Sequence, residues 1–179
     1  APLAKGYEVH LRLTARAPDR QAAQAMIAPL EAEIRRRLGE HIYGTDDEAL
    51  EWVVGQMLRE AKLTLALAES CTGGLVGHRL TNVGGSSDYL LASLVTYSNQ
   101  AKSNLLGVPP ERMQQHGAVS AETALAMAEG VRKTCGADIG LSVTGIAGPT
   151  GATSTKPIGL TYLGLAHARG TAVEEHRLR

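Results

Sequence analysis

Segments with the pattern of buried strands alternate with segments with the pattern of helices along most of the chain. A helix that begins at Asp46 or Asp47 precedes an apolar run at 63–68, which is predicted to be a buried strand. Further helices are predicted at 73–81, 99–106, 110–115 and 121–135, and further strands at 89–97, 137–144, 158–167 and about 171–178. This alternation favours an α/β fold in which helices flank a mixed β-sheet.

The first part of the chain has the pattern of a smaller α+β unit. Apolar and polar residues alternate from Tyr7 to Leu13 at the period of a strand. Helical spacing from Asp19 to Leu38 predicts an amphipathic helix, and a short second strand is predicted at 41–44. We therefore expect a small unit over residues 1–45 and a larger domain over residues 46–179.

The charge balance and the cysteine content argue against several classes of partner. Eighteen basic residues balance eighteen acidic ones, so the chain lacks the positive field of a typical nucleic-acid or anionic-membrane binder. No segment approaches the roughly 20 apolar residues that span a bilayer, and no signal-peptide pattern is present. Cys71 and Cys135 are not spaced as metal ligands. We expect a cytoplasmic protein that binds a small molecule and uses neither a metal nor a cofactor.

Ser70 lies where the predicted strand turns into a helix, in the segment AESCTGG. Gly73 and Gly74 let the chain approach a ligand closely, and N–H groups at the start of a helix stabilise a developing oxyanion. These features make Ser70 a candidate nucleophile, with the N–H groups from Thr72 to Gly74 as a candidate oxyanion hole. Two alternatives stay open: Ser70 or Thr72 only caps the helix, or the neighbouring Cys71 is the nucleophile.

Lys102 is the candidate base for this serine. Ser98 is a good N-cap for the helix predicted at 99–106, and Lys102 then lies near the first turn of that helix. The helix dipole and partial burial both disfavour an ammonium at this place, which lowers the pKa of a lysine toward that of a general base. None of the six histidines lies in a recognisable Ser-His-Asp motif. The alternative is an ordinary solvated lysine.

Two loops rich in glycine and hydroxyl groups are candidates for substrate binding. The longer loop runs from Thr144 to Lys156 after a predicted strand, where open α/β folds bind ligands. Its N–H groups, its hydroxyls and the Lys156 ammonium suit a phosphate or a ribose. It does not match G-x-x-x-x-G-K-[ST], so nucleoside triphosphate hydrolysis is not predicted. Ser86 and Ser87 follow two glycines and form a weaker candidate, which is equally consistent with a simple turn.

Four blocks of the sequence resemble the C-terminal domain of the CinA, or competence-damage-inducible, family. They are AESCTGG, VTYSNQAKSNLLGV, HGAVSAETALAMAEG and VTGIAGPTGATSTKPIG, and they follow the family's order within residues 68–159. Stand-alone members of the family are nicotinamide mononucleotide deamidases. The resemblance implies hydrolysis of the nicotinamide carboxamide to the acid with release of ammonia, by a Ser/Lys mechanism without a metal. We also expect a homodimer.

The resemblance implies roles for individual residues of this chain. Ser70 is the implied nucleophile, Lys102 is its implied base, and Tyr97 in the same block as Lys102 relays or orients protons. The expected substrate-binding residues are Thr72, Gly73, Gly74, Ser86, Ser87, Asn99, Thr144, Gly145, Gly148 and Lys156.

Residues 1–45 resemble the KH-type linking domain that precedes the deamidase domain in long CinA proteins. No G-x-x-G loop, which KH domains use to clamp a nucleic-acid backbone, occurs there, so nucleic-acid binding is not expected. The family's C-terminal domain continues into a further helix, whereas this chain stops at Arg179, so a shortened domain is expected. The competing functions are a non-catalytic nucleotide-binding or scaffolding module and a Cys71-dependent hydrolase.

Overall fold

A computed structural model describes residues 1–5 and 8–178 of the chain. The chain divides into two compact units, Ala1–Asp47 and Glu48–Arg179. In the first unit, strands β1 (Pro2–Lys5) and β2 (Glu8–Leu11) form an antiparallel hairpin, and helix α1 (Arg20–Leu38) follows. None of the α1 residues is buried, as a hairpin and one helix provide too little apolar surface to cover each other fully.

The ends of α1 form as the sequence predicts. The Asp19 carboxylate accepts a hydrogen bond of 2.8 Å from the N–H of Ala22 and caps the helix. Gly39 ends the helix with a φ of 51°, a conformation that glycine adopts without the steric penalty of a side chain.

The strand predictions for this unit are partly wrong, since the predicted first strand is confirmed only over Glu8–Leu11. Instead of one strand from Tyr7 to Leu13, the structure has the β1–β2 hairpin, and residues 12–17 are irregular; Tyr7 itself lies outside the described residues. The strand predicted at 41–44 is absent, because Gly39–His41 form a 3₁₀ turn and residues 42–44 are irregular. The hairpin partner of β2 is the segment just before it, and alternation alone does not identify the partner of a strand.

The second unit has an α/β fold with a mixed sheet, which confirms the predicted fold class. Its elements are α2 (Leu50–Ala61), β3 (Leu65–Glu69), α3 (Leu75–Thr81), β4 (Leu90–Val95), α4 (Asn99–Leu106), α5 (Pro110–His116), α6 (Ala121–Cys135), β5 (Ile139–Gly145), β6 (Leu160–His167) and β7 (Gly170–Arg177). The sheet order is β4-β3-β5-β6-β7. Strands β4, β3 and β5 are parallel, and β6 and β7 continue the sheet in antiparallel pairs.

The predicted cap of α2 is wrong. The helix begins at Leu50, and its N-cap is Ala49, which has no side chain that can cap. Asp46 lies in a turn before the helix with a φ of 54°. Aspartate tolerates this left-handed conformation better than most residues, so the acidic pair forms the turn and not the cap.

Strand β3 places different side chains on the two faces of the sheet. Ala66 and Ala68 pack into one core cluster with Met127 of α6. Leu65 and Leu67 pack into a second cluster on the opposite face, which includes residues of α2 and α3. Because successive side chains of a strand point to opposite faces, β3 is buried on both sides, as expected for a central parallel strand. Within the described residues, no helix is both long and apolar enough to cross a membrane.

Helix α6 lies very close to β5 because Gly140 has no side chain. A Cβ at Gly140 would collide with the carbonyl oxygen of Ala128 in α6. Gly140→Ala should therefore force the helix and the strand apart and lower the free energy of unfolding by about 1–3 kcal/mol.

Urea denaturation followed by circular dichroism measures this effect. Gly84→Ala is the matched control, because nothing lies within 4 Å of a Cβ at Gly84. We expect the control to unfold within about 0.5 kcal/mol of wild type. Equal stability of the two variants would contradict the close contact between α6 and β5.

Candidate active site

The candidate site lies at the carboxyl ends of the three parallel strands. Ser70 directly follows β3, and its N–H donates a hydrogen bond of 3.0 Å to the carbonyl of Val143 in β5. On the other side, the N–H of Thr96 after β4 donates one of 2.8 Å to the carbonyl of Glu69. These two hydrogen bonds hold the peptide group between Glu69 and Ser70 from both sides.

Lys102 contacts Ser70 directly. Its Nζ donates hydrogen bonds to the Ser70 Oγ at 3.0 Å, the Thr96 carbonyl at 2.8 Å and the Tyr97 carbonyl at 3.2 Å. The side chain is only 1% exposed and Ser70 only 8% exposed, so the alternative of a solvated lysine is wrong. All three partners of the Lys102 Nζ are neutral oxygens.

The environment of Lys102 suits a base. Burial lowers the pKa of Lys102, and a smaller influence of the Cys71 side chain opposes this shift. Helix α4 holds the residue in place: the Ser98 Oγ accepts a 3.0 Å hydrogen bond from the N–H of Ala101, which confirms the predicted cap. In the same turn, the backbone N–H of Lys102 donates a hydrogen bond of 3.1 Å to the Ser98 carbonyl. A lysine with a lowered pKa spends more of its time as a free amine, which can accept a proton.

The turn after Ser70 differs from the predicted start of α3. The helix begins at Leu75, with Gly74 as an N-cap that has no side chain to contribute. Gly73 and Gly74 have φ values of 61° and 101°, which side chains would disfavour. Neither the Ser70 nor the Thr72 side chain caps α3, so the capping alternative is not supported.

The N–H groups that the sequence analysis assigned to the oxyanion hole, from Thr72 to Gly74, are only partly available. The Gly73 N–H donates to the Ser70 carbonyl at 3.2 Å, and the Gly74 N–H donates to the Glu69 carboxylate at 3.1 Å. The N–H groups of Cys71 and Thr72 donate to no carbonyl oxygen of the described residues. These two groups are available to an oxyanion.

Glu69 is a residue of this site to which the sequence analysis gave no role. It is the last residue of β3 and is completely buried, yet its carboxylate accepts hydrogen bonds from the turn and from α3. The available signal was an acidic residue at the end of an otherwise apolar strand, because a buried charge is costly unless other groups bond it.

Several other predicted residues lie at the same edge of the sheet. Thr144 and Gly145 end β5; the buried Thr144 hydroxyl donates to the Ala118 carbonyl at 2.9 Å, and a Cβ at Gly145 would lie 3.1 Å from the Cys71 Sγ. Tyr97 offers Lys102 its carbonyl, while its side chain is 75% exposed. Asn99 is the exposed first residue of α4, three positions before Lys102.

Ser86 and Ser87 lie apart from the other predicted residues. They belong to a 3₁₀ turn that directly precedes β4, and Leu90 at the start of β4 pairs with Leu65 at the start of β3. Ser70 follows the other end of β3, which at about 3.3 Å per residue is some 15 Å away. The structure does not bring these two serines to Ser70.

Lys156 is bonded to the protein itself. Its Nζ donates to the carbonyls of His116 and Val119, both at 2.6 Å. These bonds tie the loop after β5 to the turn between α5 and α6 and leave at most one N–H of the ammonium for a phosphate. Gly148 in the same loop has a φ of 83° and packs against Ile158. Among the described residues, no cluster of three or more His, Cys, Asp or Glu side chains is arranged to bind a metal ion.

Lys156→Met should release the loop. Each lost charged hydrogen bond is worth about 1.5–3 kcal/mol, so the backbone amides of residues 150–156 should exchange with deuterium at least about tenfold faster. Hydrogen–deuterium exchange with mass spectrometry measures this, and Lys133→Met, at an exposed lysine of α6, is the control. Unchanged exchange in Lys156→Met would show that these two bonds do not hold the loop.

Comparison with solved structures gives the same fold. The competence/damage inducible protein CihA of Agrobacterium tumefaciens is 39% identical, with a TM-score of 0.71 over 76% of this chain and 83% of that one. A CinA superfamily protein of Escherichia coli is 25% identical, with a TM-score of 0.70 over 79% of this chain and 86% of that one.

Relatives and family models agree with this likeness. A competence-damage inducible protein of Moorella thermoacetica is 59% identical over 92% of this chain and 40% of its own length. A CinA-like protein of Kosmotoga olearia is 53% identical over 99% of the chain and 43% of its own length. The chain thus spans about two fifths of these relatives. The models of the CinA C-terminal domain and of the damage-inducible protein CinA KH domain match residues 47–179 and 1–44, so the chain belongs to the CinA family.

Proposed function

We propose that the larger unit hydrolyses the carboxamide of nicotinamide mononucleotide to nicotinate mononucleotide and ammonia. The observation that carries the proposal is the buried contact of 3.0 Å between the Lys102 Nζ and the Ser70 Oγ. An amine next to a serine hydroxyl is the arrangement that nucleophilic catalysis by a Ser/Lys pair needs. The substrate comes from the resemblance of the four sequence blocks to the CinA deamidases.

In the first half of the reaction, the neutral Lys102 amine takes the proton of the Ser70 hydroxyl. The Ser70 Oγ attacks the carboxamide carbon, and the carbonyl oxygen becomes an oxyanion that the N–H groups of Cys71 and Thr72 stabilise. The Lys102 ammonium then gives its proton to the amide nitrogen. The C–N bond breaks, ammonia leaves, and an acyl ester on Ser70 remains.

In the second half, water replaces ammonia. The Lys102 amine takes a proton from the water, and the resulting hydroxide attacks the ester carbon. The same N–H groups stabilise the second oxyanion. The Ser70 oxygen leaves with the proton from Lys102, which restores the hydroxyl and the free amine and releases the acid.

The geometry favours Ser70 over Cys71 as the nucleophile. Lys102 donates a hydrogen bond to the Ser70 Oγ, and none of its three hydrogen bonds goes to the Cys71 thiol. Burial raises the pKa of Cys71, the Glu69 charge raises it further, and the lowering effects of nearby N–H groups and of Lys102 do not offset the rise. A thiol with a raised pKa is a poor source of thiolate.

Substrate contacts follow from exposure. The Tyr97 phenol makes no hydrogen bond to Ser70 or Lys102, and its ring is 75% exposed beside the pair. This favours contact between Tyr97 and the bound nucleotide over proton relay within the free protein. Asn99 and Gly145 lie at the same edge of the sheet and complete the proposed substrate-binding residues, whereas Thr144 is buried and bonds the Ala118 carbonyl. A homodimer stays a prediction.

Substitution of the pair tests the proposal. Ser70→Ala removes the atom that forms the ester, and Lys102→Met removes the base, so each should reduce ammonia release by on the order of 10³-fold or more, with the double variant little worse. Lys102→Arg should fail as well, because a guanidinium keeps its proton.

The measurement is ammonia release from nicotinamide mononucleotide by the protein and its variants. Cys71→Ala, next to the nucleophile, and Lys133→Met, at an exposed lysine, are the controls and should keep substantial activity. Loss of activity in Cys71→Ala with retention in Ser70→Ala would transfer the nucleophile to the thiol. A wild-type protein that binds the nucleotide without turnover would favour the non-catalytic binding module.

The pKa of Lys102 predicts the pH dependence. Lys102 must be neutral to act, so kcat/KM should rise with pH as the ammonium loses its proton. Because burial lowers its pKa, the midpoint of the rise should lie below about 10.4, the ordinary value for lysine. Initial rates across the pH range measure this, with circular dichroism at each pH to detect unfolding. A rate that falls over this range would refute Lys102 as the base.

A further inference from the structure

The buried carboxylate of Glu69 is bonded by four neutral donors. Its Oε2 accepts from the N–H groups of Gly74 and Val76, both at 3.1 Å. Its Oε1 accepts from the Gly77 N–H at 2.8 Å and the Ser93 Oγ at 3.1 Å. No cation of the described residues is among these partners, so backbone and hydroxyl groups alone hold the anion.

These donors keep Glu69 ionised. Burial raises the pKa of the Glu69 carboxyl, but a hydroxyl contact from Thr72 and hydrogen bonds from Gly77, Val76 and Ser93 together outweigh it, and the pKa lies below its ordinary value. The Thr72 contact is imperfect, since its Oγ1 lacks a partner of good hydrogen-bond geometry. A carboxylate that accepts several N–H bonds is ionised at neutral pH.

The four donors come from the parts that surround the Ser70 turn. Gly74 ends that turn, Val76 and Gly77 lie in the first turn of α3, and Ser93 lies on β4. Helix α3 has no side-chain N-cap at its own N-cap position. The Glu69 carboxylate takes the place of that cap and so determines where the turn ends and the helix begins.

The packing around these donors is tight. A Cβ at Gly77 would collide with the Ser93 hydroxyl and would lie 3.4 Å from the Glu69 Oε1. Glycine at this position lets α3 approach β4 and the carboxylate together. The carboxylate therefore has little freedom to accept its bonds in another arrangement.

Glu69 and Ser70 are adjacent, and their side chains bond to opposite layers of the fold. The Glu69 carboxylate bonds α3, and the Ser70 hydroxyl bonds Lys102 of α4. Neighbouring residues at a strand end point to opposite faces of the sheet. A shift of the backbone that changes one side chain must therefore change the other.

We propose that Glu69 is a positioning residue for the reaction, whose carboxylate holds residues 70–74 so that the Ser70 hydroxyl meets Lys102 and the N–H groups of Cys71 and Thr72 face the developing oxyanion. This inference rests on the proposed role of Ser70. Glu69 does not touch the substrate; it acts through the conformation of the turn. A misplacement of about 1 Å at a reacting atom costs about 10²-fold in rate.

The test compares two substitutions of matched chemistry. Glu69→Gln keeps the size of the side chain, but its amide nitrogen cannot accept, so two of the four donors lose their acceptor. Asp138→Asn is the control, because Asp138 also accepts bonds from a backbone N–H and a hydroxyl, those of Thr64, but at the opposite end of β3 and β5. Both variants are made in the full chain, and circular dichroism establishes that each one folds.

Two measurements follow Ser70. The first is ammonia release: in Glu69→Gln, kcat should fall about 10²-fold while KM stays within about threefold, because only the reacting group has moved. The second is covalent labelling of Ser70 by a fluorophosphonate, with Ser70→Ala as the background, and it should slow by a similar factor. Asp138→Asn should lower the melting temperature but leave both rates within about twofold of wild type.

Ser93→Ala keeps the test decisive if Glu69→Gln fails to fold. It removes one donor and leaves the other three, so we expect a smaller loss of both rates, roughly three- to tenfold. A folded Glu69→Gln or Ser93→Ala protein that labels at the wild-type rate would overturn the positioning role. Slow labelling in these variants, with rapid labelling but no ammonia release in wild type, would refute the proposed substrate and support the positioning role. A wild-type Ser70 that never reacts would overturn both proposals.

Discussion

The site depends on a lysine that is buried among neutral oxygens. Lys102 is 1% exposed, and within the described part of the chain its Nζ donates hydrogen bonds only to one hydroxyl and two carbonyl groups. An ammonium in such a place loses most of its hydration, and no carboxylate of the described residues forms a hydrogen bond with it to offset that loss. The ends of the parallel strands and the capped start of α4 hold Lys102 in this buried position. The lowered pKa of the amine therefore depends on the parallel half of the sheet.

A buried carboxylate, Glu69, directly precedes the serine that this buried lysine contacts, and it forms no ion pair with the lysine. Glu69 and Ser70 are consecutive, but their side chains lie on opposite faces of the sheet. The Glu69 carboxylate accepts a hydrogen bond from α3, and the Ser70 hydroxyl accepts one from Lys102 of α4. The carboxylate therefore organises the turn while its own contacts are to N–H and hydroxyl groups. A direct Glu69–Lys102 pair would stabilise the ammonium and remove the base.

The sequence predicted the parts of the site that depend on local rules. Ser98 caps its helix, and Ser70 follows a buried strand, because capping and strand-end placement are local. The sequence could not show which donors were already used. The N–H of Gly74 donates a hydrogen bond to the Glu69 carboxylate, and the Lys156 ammonium donates to two backbone carbonyls. These contacts arise only in the folded chain. The partner of β2 was missed for the same reason, since pairing is not encoded in alternation.

The way in which Lys102 is oriented is consistent with its proposed role as a base without a third charged group. In a Ser-His-Asp triad, a carboxylate orients the base and stabilises its protonated form. Lys102 is oriented by the carbonyls of Thr96 and Tyr97, at 2.8 and 3.2 Å. Carbonyl dipoles fix the position of the Nζ but raise its pKa less than a full negative charge would. The ordinary pKa of lysine is much higher than that of histidine, so a lysine base needs a larger lowering of its pKa. Neutral partners orient Lys102 without cancelling the lowering that burial produces.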